Sequence, residues 1–150
     1  MITSLAFAAL ASAVPAPTSI TVAHYLIEIP AGYVAKDVSP PMMDFDLYMV
    51  TRQGRKEITC TLYFGNHPSF PKLQWSKKPV ETKGDKRTAK AFQRPGAIEG
   101  VIEFSGLTYQ HPSGTPFGSI HYFGDKLDDG AVKDMLRMIA SIKVTRPHLN

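Results

Sequence analysis

The tripeptide His-Pro-Ser occurs twice, at His67-Pro68-Ser69 and His111-Pro112-Ser113, and comes nearest to a reactive constellation in the chain. An imidazole beside a hydroxyl could act as base and nucleophile. Two imidazoles joined by Asp44, Asp46 or Asp125 could instead hold a metal ion. Neither chemistry is written in the spacing. The histidines at 24, 67, 111, 121 and 148 include no pair four apart on a helix, and Cys60 is the sole cysteine. No Gly-x-Ser-x-Gly elbow is present: Phe104-Ser105-Gly106 lacks the first glycine, and Ser113 falls in a loop. The glycines at 96, 100, 106, 114 and 118 build no phosphate loop. The carboxylates are few and fall mostly at turns or a helix cap, so no glycosidase pair is specified. The default role of each His-Pro is a loop corner, because proline fixes its own φ and restrains the residue before it. No catalytic residue, metal ligand or cofactor is therefore expected.

Binding residues are easier to nominate. Residues 72–94 hold eight Lys and Arg against Glu81 and Asp85, while the whole chain carries only +4. Such a patch draws anionic partners, whether membrane headgroups, wall polymers or an acidic protein face; the competing reading is a solvated lysine-rich loop. Tyr33, Trp75, Tyr109 and Phe117 fall in or beside loops, outside the alternating core pattern. Aromatics so placed either anchor a partner or plug the open end of a sheet. The expected contact surface comprises Tyr33, His67, Trp75, Lys77, Lys78, Lys83, Tyr109 and His111.

The elements that position these residues follow from periodicity. Tyr25, Ile27 and Ile29 share one face of a strand over 24–29. Residues 34–43 are expected to be irregular because of Pro40-Pro41. Phe45, Leu47 and Met49 alternate with Asp46, Tyr48 and Val50 in a second strand, and Gln53-Gly54-Arg55 is a hairpin turn. Ile58, Cys60, Leu62 and Phe64 alternate most clearly of all, which sends Cys60 inward. A long polar connection follows Phe70. Residues 87–94 and 98–106 form a hairpin about Pro95-Gly96, and 119–123 is a short strand. Asp128 or Asp129 caps a final helix whose stripe is Val132, Met135, Leu136, Ile139 and Ile142. The sum is α+β: a mainly antiparallel sheet packed by a C-terminal helix.

Length and composition suit one domain over 19–146, with a tail at 147–150. Residues 1–13 carry no charge and end in Ala11-Ser12-Ala13, the small-x-small pattern of a signal-peptidase site. They are expected to be a secretory leader, with 14–18 as a linker. Export to the periplasm or beyond would largely remove nucleic acid as a partner, although Trp75 and Phe92 could stack on bases. A lone cysteine in an oxidising compartment is best kept buried.

Tyr25-Leu-Ile-Glu-Ile-Pro30-Ala-Gly-Tyr33 resembles the opening strand and turn of PsbP-like and DcrB-like domains. Met135-Leu-Arg-Met-Ile-Ala-Ser-Ile-Lys-Val144 looks like their closing helix and short strand. The resemblance spans about 24–144 and implies an α/β/α-type sandwich with no shared catalytic motif. It also implies a small exported protein that binds or assembles. The expected function is thus a periplasmic, non-enzymatic interaction factor meeting another protein or an anionic envelope component. An immunity-type inhibitor of a secreted toxin is one form of it. The alternative is a small hydrolase or metal-dependent enzyme whose residues converge from the two His-Pro-Ser loops.

Overall fold

The structure, a computed structural model, describes residues 16–84, 86–105 and 118–145. The expected leader, Tyr109, His111, Ser113, Phe117 and His148 lie outside the described residues. In chain order the strands are Thr18–Val22 (β1), Tyr25–Ile29 (β2), Tyr33–Asp37 (β3), Asp46–Arg52 (β4), Arg55–Gly65 (β5), Val80–Lys83 (β6), Arg87–Arg94 (β7), Ala97–Phe104 (β8) and Ser119–Gly124 (β9). The helix Asp129–Ser141 (α1) and the short strand Lys143–Val144 (β10) follow. This is the α+β arrangement that the periodicity predicts.

Seven strands form one antiparallel sheet in the order β3-β4-β5-β9-β8-β7-β6, and β1-β2-β10 form a second. β5, the longest strand, lies beside the central β9 of the larger sheet. Its Ile58, Cys60, Leu62 and Phe64 are buried on the face that α1 covers, as the alternation requires. The hairpins turn at Gly54 and Gly96, whose φ values of 75° and 76° are the left-handed conformation that glycine adopts at no steric cost. Asp128 caps α1 through its side chain, which accepts from the Ala131 amide at 2.7 Å. The helix then buries Ala131, Val132, Met135, Met138 and Ile139; Leu136, expected in that stripe, is only half-buried. Tyr25, Ile27 and Ile29 of β2 join the same core, the Tyr25 ring lying 5.9 Å from that of Phe64.

Two expectations need correction. Residues 34–43 are not irregular throughout, because 33–37 are drawn into β3 by pairing Tyr33 with Arg52 and Ala35 with Val50. The neighbouring strand supplies what local sequence does not, and irregular chain begins only before the prolines. The polar connection after Phe70 likewise ends in an edge strand, β6, paired to β7.

The face opposite α1 is covered differently. Among the described residues no helix covers it, so the third layer of an α/β/α sandwich is not found there. Instead residues 66–79 run over β9, β8 and β7 as an extended strap, fastened by contacts with Glu99, Phe92 and His121.

Candidate binding site

The fastening begins at Glu99, fully buried within the otherwise apolar run 97–102 of β8. A buried carboxylate must be neutralised or fully hydrogen-bonded. Here it accepts from the Lys72 amide, from the Leu73 amide at 2.8 Å and from the Trp75 indole Nε1 at 2.8 Å. His121 Nε2 is its fourth partner, at 2.8 Å. Burial alone would raise the Glu99 pKa, but these hydrogen bonds outweigh it and hold the carboxyl below its ordinary range. For His121, itself 2% exposed, burial prevails over the pull of the carboxylate and lowers the pKa. The ring is therefore neutral near pH 7 and donates its Nε2 proton to Glu99.

Both shifts give stability the same sign with pH. The unfolded chain protonates His121 around its ordinary value of 6.5 while the folded chain resists, so stability falls as pH drops below that value. Glu99 adds a second loss below its ordinary value of 4.5, as pH falls towards its folded pKa. Urea unfolding across this range should show the midpoint declining on acidification. A midpoint that rises or stays level below 6.5 would contradict the neutral assignment.

Aromatic packing completes the strap. Trp75 stacks on Phe92 of β7 with ring centroids 5.0 Å apart and planes 4° from parallel, and the Arg94 guanidinium lies over the indole at 4.6 Å. Arg94 Nη1 also donates to the Gln74 carbonyl at 2.8 Å. Phe70 packs beside Phe92 at 5.5 Å and edge-on to His121 at 5.8 Å. Between strap and sheet edge lies a cleft of about 250 Å³ lined by Trp75, Lys77, Lys78, Val80, Phe92 and Arg94, among others. Val80 is 71% exposed at its rim. Lys77 and Lys78 are exposed and make no ion pair among the described residues.

The structure therefore divides the nominated residues. Trp75, Lys77 and Lys78 share the cleft, and exposed Lys83 stands on neighbouring β6. His67 is exposed but lines a different pocket, beside Ser69 and His121. Tyr33 is a correction: it is 5% exposed, it opens β3 rather than a loop, and its hydroxyl donates to Asp134 of α1 at 3.2 Å. Packing on the helix removes it from the strap surface. Tyr109 and His111 lie outside the described residues.

Glu99 and its pairing with His121 are marked by no motif, although His121 is among the histidines weighed as ligands. The available signal was an acid within Ala97-Ile98-Glu99-Gly100-Val101-Ile102, a run too apolar for a solvated face. The thiol of Cys60 is buried as expected, and burial pushes its pKa up to about 12, so it is not a nucleophile. Ser69 makes no hydrogen bond to either imidazole among the described residues. No group of three or more His, Cys, Asp or Glu among the described residues could hold a metal ion. No helix among them is long and apolar enough to cross a membrane. No family model, curated protein or solved structure matches the chain.

Proposed function

We propose that this protein is a small exported binding factor, without catalysis of its own, that docks an acidic segment of a partner protein in the Trp75–Lys77–Lys78 cleft. The observation that carries this reading is the contrast within the cleft. Trp75 is held by Phe92, Glu99 and Arg94, whereas the ammonium groups of Lys77 and Lys78 are left without carboxylates among the described residues. A rigid aromatic anchor beside unpaired cations is how interfaces recognise acidic chains with little ordering cost. Exposed Val80 adds an apolar contact at the rim. The PsbP-like resemblance and the leader pattern over 1–13 support the exported, assembling role, of which an immunity-type inhibitor is one form.

The test is affinity capture from a native envelope, repeated with Lys77, Lys78 and Lys83 changed to glutamate. The reading expects one protein to be retained at low salt, released by high salt, and lost with the triple variant. Undiminished recovery by that variant would overturn it, and retention of an anionic polymer alone would replace the protein partner by an envelope component. Mass spectrometry of the same exported material should find its N-terminus at Val14.

A further inference from the structure

A second pocket lies on the same face, on the β5 side of the strap, with a volume of about 310 Å³. Its floor is apolar and comes from the sheet: Leu47 and Met49 of β4 and Phe123 of β9. Its rim is polar, with His67, Ser69 and Lys72 from the strap, and His121 forms part of the wall. No carboxylate lines it, and Lys72 is its one Lys or Arg. The Lys72 ammonium lies over the Phe123 ring at 4.5 Å and makes no ion pair among the described residues.

The walls are set before any ligand arrives. The Lys72 amide is tied to Glu99, which fixes where its side chain leaves the strap. The Tyr63 ring lies against Gly65 so closely that a Cβ there would collide with the phenol. Its hydroxyl accepts from the His67 amide at 3.3 Å, and Phe45 packs on the same ring at 5.1 Å. A preformed pocket loses less entropy on binding than one that must close.

We infer that this pocket is a binding site for a small monocarboxylate with an apolar body, the carboxylate meeting the Lys72 ammonium and the body lying on Leu47, Met49 and Phe123. One ammonium among neutral hydroxyls suits a monoanion; a phosphate dianion wants several guanidinium or amide donors. The apolar floor has no use for a free inorganic ion. The site is separate from the Lys77–Lys78 cleft and does not rest on the partner-docking reading.

The methionine methyl groups report on it directly, because Met49 lies on the floor while Met42 is fully exposed elsewhere and serves as an internal control. Phenylacetate or hexanoate, titrated into methyl-labelled full-length protein, should shift the Met49 signal saturably and leave Met42 unmoved. The neutral amides of the same acids should bind about tenfold more weakly or worse, the worth of one charge-assisted hydrogen bond. Lys72→Met should weaken the acids alike, and Lys133→Met, at an exposed position on α1 across the sheet, should not, with unfolding midpoints checked for both. Absence of a Met49 shift at millimolar acid, or equal binding of acid and amide, would overturn the inference. A larger Met49 shift with inorganic phosphate than with phenylacetate would overturn it as well.

Discussion

Replacing Glu99 by alanine is expected to lower the unfolding free energy by about 3–5 kcal/mol, the range for removing one member of a buried charged network. Four donors converge on its carboxylate, and three belong to the strap: the Lys72 and Leu73 amides and the Trp75 indole. Each would be left buried without an acceptor unless the strap lifts into water. The energetically easier response is lifting, so the loss should be read in two places. Trp75 is the only tryptophan, and its emission should move to longer wavelength in the variant even where the sheet remains folded. Glu99→Gln keeps the shape but sets an amide donor against one of the existing donors, so its effect should be smaller than that of alanine. An alanine variant with wild-type emission and an unfolding free energy within about 0.5 kcal/mol of wild type would contradict the role assigned to Glu99.

Phe92→Ala should cost about 3–5 kcal/mol, as expected for deleting a buried phenylalanine ring. The side chain is 8% exposed, and it packs against both strap aromatics, Trp75 at 5.0 Å and Phe70 at 5.5 Å. Its effect should not add to that of Glu99→Ala. Once either substitution frees the strap, the second has less structure left to disrupt, so the double variant should fall short of the sum by about 0.5–3 kcal/mol. Full additivity would mean that the two residues hold different parts of the molecule. Phe92→Leu, which keeps an apolar platform but not the stacking, should recover most of the stability and little of the Trp75 emission.

The sequence made the scaffold legible where one face meets the core and the other meets solvent or strap. β5 is the clearest example, because Ile58, Cys60, Leu62 and Phe64 alternate without interruption. α1 was equally plain from its stripe and its Asp128 cap. β1, β3 and β6 were not, since edge strands take their hydrogen bonds from a neighbour and need no strong pattern of their own. The candidate site was half legible. Trp75, Lys77 and Lys78 could be nominated from their types, because a large aromatic outside the core pattern beside a local excess of positive charge suits an anionic partner. Their fastening could not, because Glu99 and Trp75 stand 24 positions apart and meet only through β-pairing and the path of the strap. Tyr33 was misplaced for a related reason: its sequence neighbours Gly32 and Pro30 mark a turn, but the strand that follows packs it beneath α1.

The central claim is that a pre-anchored Trp75 and its flanking lysines recognise an acidic chain. The most direct measurement is a titration of the purified protein with a glutamate-rich peptide carrying one aromatic residue, followed by Trp75 emission at low and high salt. The account predicts a saturable change whose affinity falls as salt rises and weakens about tenfold or more in the Lys77→Glu, Lys78→Glu double variant. Trp75 emission that ignores the peptide, or binding that survives both charge reversals, would contradict it.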